Sequence, residues 1–159
     1  MILVLLGTQD KSFKRLLDAI QKCIDDKTIK EKVVVQSGHT KYDSSLMEIF
    51  SLLPKGSYDD LIKKARILIT HGGVSSIFDG IKNNIPVIAA ARLREYGEHT
   101  NNHQLEIINK FADEGYLLAL NDFDELGEKI KEAKTFKAKK FESTTNNVVN
   151  LIKDYIDNN

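Results

Sequence analysis

Short apolar runs recur along the chain with longer stretches of helical period between them, and this alternation limits the fold more than any other feature. The runs are ILVLL (2–6), KVVVQ (32–36), RILIT (66–70), PVIAAA (86–91) and YLLAL (116–120). Each is too short for a helix and nearly continuous in apolar side chains, as a strand buried on both faces must be. Helical period or helix-start signals occupy 11–25, 57–65, 75–84, 101–113, 122–133 and 141–156. LMEIFSLL (46–53) fits either strand or helix. Strand alternating with helix predicts an α/β fold, an open parallel sheet with helices on both faces.

At 159 residues the chain has room for one domain, spanning 1–159, and not for two ordinary ones. No internal repeat, low-complexity linker or boundary interrupts it. The opening MILVLLGTQD has no basic start and is far too short for a membrane span, so it reads as a buried first strand. Lys plus Arg and Asp plus Glu number 23 each, which gives no argument for nucleic acid or membrane from charge. One basic stretch, KIKEAKTFKAKKFE (129–142), reads as a solvated helix end or as a patch facing a partner or anionic headgroups. The single cysteine, Cys23, falls in phase with Phe13, Leu16, Leu17 and Ile20 and reads as core.

Ligands of open parallel sheets bind outside the carboxyl ends of the strands. Four such ends are unusual here: LLGTQ (5–9), VQSGH (35–39), ITHGGVSS (69–76) and ARLREYGEHTNNHQ (91–104). No G-x-G-x-x-G follows the first strand and no P-loop motif occurs, which argues against an ordinary dinucleotide site or a P-loop NTPase. HGGVSS offers instead Gly72 and Gly73 immediately before a helix, whose first amides and positive dipole end suit a phosphate without any lysine. Ser76 and Asp79 also have the S-x-x-D spacing of a capping box, so a plain helix start competes with that reading. His71 alone fits a strand-end hydrogen bond as well as a ligand contact. GEHTNNHQ crowds Glu98, His99, Asn101, Asn102, His103 and Gln104 together, with paired donors and acceptors of the kind that read sugar hydroxyls. A polar loop with an Asn cap competes with it. His99 and His103 have i, i+4 spacing, but without H-E-x-x-H or an obvious third ligand no metal site is expected.

The ordered set GT, Q-x-G, HGG-x-S-S-x-x-D and EH-x-x-NHQ resembles the C-terminal, donor-binding half of family 28 glycosyltransferases, from Ile2 to about Leu120. Within that family it is most similar to short catalytic subunits of two-protein transferases. These include the eukaryotic UDP-GlcNAc transferase acting on dolichyl-diphosphate-GlcNAc, and split bacterial capsule or exopolysaccharide transferases. The resemblance implies a Rossmann-like half of a GT-B enzyme. It implies that Gly7 and Thr8 approach the donor diphosphate, that Gln36 and Gly38 border the nucleotide, and that Gly72, Gly73, Ser75 and Ser76 lie beneath the diphosphate. Asp79 falls where larger relatives carry a ribose-binding glutamate, and His103 and Gln104 match the pair that contacts the transferred sugar. No cofactor or metal is implied.

Full-length relatives have an N-terminal domain that binds the lipid-linked acceptor and usually supplies the general base; here the resemblance begins at the donor half. The expectation is therefore a cytoplasmic subunit held at the membrane face by a membrane-anchored, acceptor-binding partner. The reaction expected is inverting transfer from a UDP-sugar to a polyprenyl-diphosphate-linked saccharide, with no base named in this chain. A non-catalytic UDP-sugar-binding subunit and an epimerase-like enzyme remain as alternatives.

Overall fold

A computed structural model describes residues 1–140. Its elements run β1 (Ile2–Leu5), α1 (Lys14–Asp25), β2 (Val33–Gln36), β3 (Met47–Phe50), α2 (Lys55–Lys64), β4 (Ile67–His71), α3 (Val74–Lys82), β5 (Val87–Ala90), α4 (His103–Asp113), β6 (Leu118–Ala119) and α5 (Leu126–Ala133). Short 3₁₀ turns at Arg94–Tyr96 and Phe123–Glu125 precede α4 and α5. The helical pattern at 141–156 lies outside the described residues, as does the end of the basic stretch 129–142. Within that stretch Lys129 pairs with Glu132 and Lys131 with Glu128 along the solvated face of α5.

All six strands join one parallel sheet in the order β3-β2-β1-β4-β5-β6. β1 is the centre, paired on one side with β2 and on the other with β4. Its side chains alternate between two cores. Ile2, Val4 and Leu6 pack with Leu16, Leu17 and Ile20 of α1 and Leu126 and Ile130 of α5. Leu3 and Leu5 pack with Ile62 of α2, Ile77 and Ile81 of α3, and Ile108 and Phe111 of α4. An apolar run with no polar break is what this double burial demands. Cys23 lies in the first core, where burial pushes its thiol pKa up and keeps it inert.

Several boundaries differ from the sequence expectation for identifiable reasons. LMEIFSLL contributes the edge strand β3, which leaves Phe50 and Leu52 exposed on the sheet rim. An edge strand is only half buried, which is why its apolar pattern did not separate strand from helix. Helix α2 starts at Lys55, two residues before SYDD, with Pro54 as its cap residue and no side-chain cap. β4 extends through His71, and only Leu118 and Ala119 of YLLAL pair in the sheet.

Helix α3 packs closely on β4 and β5 because residue 80 has no side chain. A Cβ there would lie 2.9 Å from Leu68 Cδ2 and would also strike Val87 Cγ2. Gly80→Ala is therefore expected to lower stability by about 1–3 kcal/mol through overpacking. Gly56→Ala in α2, where nothing lies within 4 Å of the added carbon, is expected to raise stability by about 0.5 kcal/mol. Denaturant unfolding of the two variants checks both signs; equal effects would contradict the packing assignment.

Candidate functional site

The chain leaves β1 and β4 toward opposite faces of the sheet, to α1 and to α3, so a crevice opens between their carboxyl ends. The four unusual strand ends meet there, and their glycines show how closely. At Gly7, which has φ +73, an added Cβ would lie 2.6 Å from Cε1 and Nε2 of His71. At Gly73 it would strike the same imidazole, at Gly38 (φ +57) the carbonyl oxygen of Gly7, and at Gly72 it would come 2.5 Å from Gln104 Cβ. The absent side chains are thus accounted for by protein neighbours: the loops at 7, 38, 72–73 and 104 interlock, and His71 is clasped between two of the glycines.

His71 is buried, with Nδ1 3.3 Å from the Leu5 carbonyl oxygen and 3.4 Å from Thr70 Oγ1. A carbonyl can only accept, so Nδ1 carries the proton in that bond and Nε2 is left as an acceptor. Burial, with the nearby Arg92 charge acting in the same direction, pushes the His71 pKa down to about 4. The ring is neutral at physiological pH.

Helix α3 begins at Val74 after Gly73, with no side-chain cap. The capping-box reading of Ser76 and Asp79 is therefore corrected: with Gly73 as the cap residue, Asp79 lies beyond the first turn. Its carboxylate accepts a 2.6 Å hydrogen bond from Tyr58 Oη of α2, a partner for which no motif or spacing is a signal. Burial and the Asp79 charge raise the Tyr58 pKa, so the phenol stays a donor. The two side chains line a cleft of about 160 Å³ between α2 and α3, with Ile62 and Asn83 further along it. The first-turn amides of α3 have no side-chain cap, and within that turn Ser75 is exposed and Ser76 half-buried.

Polar residues of the remaining loops divide by what they already hold. Gln36 is buried and its Oε1 accepts from the Leu53 amide. Glu98 accepts from Nε and Nη2 of Arg15 at 2.9 and 2.7 Å and from the Leu93 amide at 3.1 Å, so both its oxygens are engaged within the protein. Gln104 Oε1 accepts from the Arg92 amide at 3.0 Å. His99 Nδ1 accepts from the Asn101 amide, and its Nε2 meets the Gln9 side chain at 3.2 Å. Asn102 Oδ1 accepts from the Arg94 amide, and Asn101 Oδ1 from the His103 amide at the start of α4. His103 is partly exposed, with Nδ1 3.6 Å from Glu106, and Thr8 is exposed at the tip of the β1–α1 loop. Arg92, absent from the sequence-level set, is 1% exposed and reaches back to the β1–α1 loop.

A parallel sheet in this strand order, with motif loops at the β1–β4 switch point, is Rossmann-like, and the solved structures that it resembles are glycosyltransferases. Residues 1–158 match the model of the glycosyltransferase family 28 C-terminal domain, and the chain belongs to that family. Among solved structures it is similar to CalG4, the calicheamicin glycosyltransferase, with TM-score 0.61 and 14% identity over 84% of this chain and 34% of that one. The glycosyltransferase SnogD from Streptomyces nogalater gives TM-score 0.60 and 12% identity over 84% of this chain and 34% of its own. The solution structure of ALG13 gives TM-score 0.56 and 16% identity, covering 95% of this chain and 92% of that one. At such identities the likeness is one of fold. The chain spans about a third of the length of CalG4 and SnogD. No curated protein sequence matches it significantly.

Two outcomes follow for stability. Because the folded His71 pKa, about 4, lies below the ordinary 6.5, the unfolded chain takes up this proton first as pH falls. His71 therefore costs stability progressively between pH 6.5 and 4, by about 3 kcal/mol in full. Comparing unfolding free energies of the wild type and His71→Asn from pH 7.5 to 4.5 should show the gap closing toward low pH; parallel curves would contradict the buried neutral ring. Glu98→Ala, which leaves Arg15 and the Leu93 amide without their acceptor, is expected to cost about 1–3 kcal/mol in a urea titration.

Proposed function

We propose that the chain is the donor-binding, catalytic part of an inverting glycosyltransferase that moves a sugar from a UDP-sugar to a polyprenyl-diphosphate-linked saccharide, in polysaccharide or glycolipid biosynthesis. The observation that carries this reading is the convergence of four motif loops on one switch point in a chain of glycosyltransferase family 28. The uncapped amides of α3 and the hydroxyls of Thr8, Ser75 and Ser76 would hold the diphosphate without a metal ion. The same donors would stabilise negative charge growing on departing UDP, and preorganised donors of this kind commonly contribute more than any other effect to such a step. Asp79, held by Tyr58 through one oxygen, keeps the other for ribose hydroxyls. Gln104, with its oxygen on the Arg92 amide, keeps its amide N–H groups for the transferred sugar beside His103.

The acceptor, its general base and recruitment to the cytoplasmic membrane face are assigned in this proposal to a membrane-anchored partner. Its support is the resemblance of the motif set to short subunits of two-protein transferases. Among the described residues no helix is long and apolar enough to cross a membrane. Co-purification with such a partner, followed by a transfer assay over a panel of UDP-sugars and lipid-diphosphate acceptors, tests the activity. Binding of UDP-sugar without transfer by the pair would make the chain a non-catalytic binding subunit.

Asp79→Asn tests the ribose assignment in the chain alone. Loss of a charge-assisted hydrogen bond is expected to weaken UDP about tenfold by calorimetric titration, with the melting temperature little changed. A fall of several degrees with unchanged affinity would make Asp79 a structural partner of Tyr58 and nothing more.

A further inference from the structure

Arg92 follows β5 and is among the largest fully buried side chains of the protein. Its Nη1 donates to the Lys11 carbonyl at 2.6 Å and its Nη2 to the Leu6 carbonyl at 2.5 Å. The guanidinium carbon lies 5.1 Å from the centroid of the Phe13 ring, and Nε has no hydrogen-bond partner among the described residues. No ion pair joins it to a carboxylate among those residues. Glu98, the acid whose charge acts on it, has both oxygens committed to Arg15. Arg15, Glu98 and Arg92 together therefore leave one positive charge in excess, and that charge is the buried one.

Such a residue is a poor choice for stability alone, because a buried cation without a counter-charge forfeits its hydration. Its two acceptors explain where it acts. Leu6 and Lys11 bracket Gly7, Thr8, Gln9 and Asp10, the loop tip that faces the crevice. In a trans peptide the carbonyl and the following N–H point in opposite directions. Drawing the Leu6 carbonyl inward onto Arg92 therefore turns the Gly7 amide outward. The charge also reaches the clasped His71 ring, whose pKa it depresses, so its field extends to the centre of the switch point.

We propose that Arg92 is a positioning residue for the donor diphosphate: it holds the Leu6–Lys11 loop with the Gly7 amide turned out and sets a buried positive charge behind the place where the anion binds. The inference rests on the donor reading above. An incoming diphosphate would supply the counter-charge that the protein withholds, so the benefit scales with phosphate rather than with base or ribose.

The test is calorimetric titration of uridine, UMP and UDP into the wild type, Arg92→Lys and Arg92→Met, with circular dichroism and melting temperature recorded for each. The wild type is expected to gain affinity from uridine to UDP. Arg92→Lys keeps the charge but loses the fork across two carbonyls and should weaken UDP about tenfold, with uridine unchanged. Arg92→Met should lose more of the phosphate-dependent gain, and if it fails to fold, Arg92→Lys carries the test. Equal affinities for UDP in wild type and Arg92→Lys, or equal losses for uridine and UDP, would overturn the inference. A wild type that binds no UDP would overturn the donor reading itself, and the inference with it.

Discussion

Strand β1 is buried on both faces and paired along both edges, and the position of every other element follows from that. Each of its residues from Ile2 to Leu5 is at most 1% exposed. A strand in that state has no surface on which to place a polar side chain, so chemistry is displaced to its end. The neighbouring strands are β2 and β4, and the connections from β1 and β4 leave for opposite layers. The carboxyl ends of the central strands are therefore left uncovered by helix, and a crevice at that edge is a consequence of burying β1 rather than a separate design.

Four loops converging on one crevice must pack against each other without filling it. The structure achieves this with small residues facing polar ones. Gly7 and Gly73 clasp His71, Gly38 rides on the Gly7 carbonyl, and Gly72 receives the stem of Gln104. Through Gln104 the contact continues to the Arg92 amide, and through the Arg92 side chain back to Leu6. The Arg15–Glu98 pair closes the same ring from the α1 side, with the Arg15 guanidinium carbon 4.0 Å from the centroid of the Tyr96 ring and 4.3 Å from that of Phe123. Loops joined in this way hold one another in place, the preorganisation that the proposed donor role calls for.

Fold and site were legible in the sequence to different depths, for physical reasons. The central strands were readable because double burial removes every polar residue from them. β3 was not, since an edge strand with Phe50 and Leu52 on its rim has no such compulsion. Helix starts were misplaced where no side chain caps them, as at Lys55 and Val74. The motif loops were found because unusual residue types are crowded there, yet their partners were not. Tyr58 on Asp79, Arg15 on Glu98 and Arg92 on Leu6 join residues 21, 83 and 86 positions apart. Only the fold sets distances of that kind. Gly72 and Gly73, read from the sequence as a helix start suited to a phosphate, are also required by packing, since a Cβ at either would strike Gln104 or His71.

Burial sorts the polar residues of the crevice into two groups that composition could not separate. Gln36, Glu98, Arg92 and the carbonyl of Gln104 are inside and hold loops together. Thr8, Ser75, Ser76, Asp79 and His103 are exposed or half-buried. A buried polar atom left without a partner would cost stability in the empty protein, whereas an exposed one is satisfied by water until a ligand replaces it. Groups in the outer set can therefore exchange water for a ligand at smaller cost than those in the inner set. Arg92 crosses this division most sharply: its hydrogen bonds belong to the scaffold, while the proposed diphosphate would balance its charge.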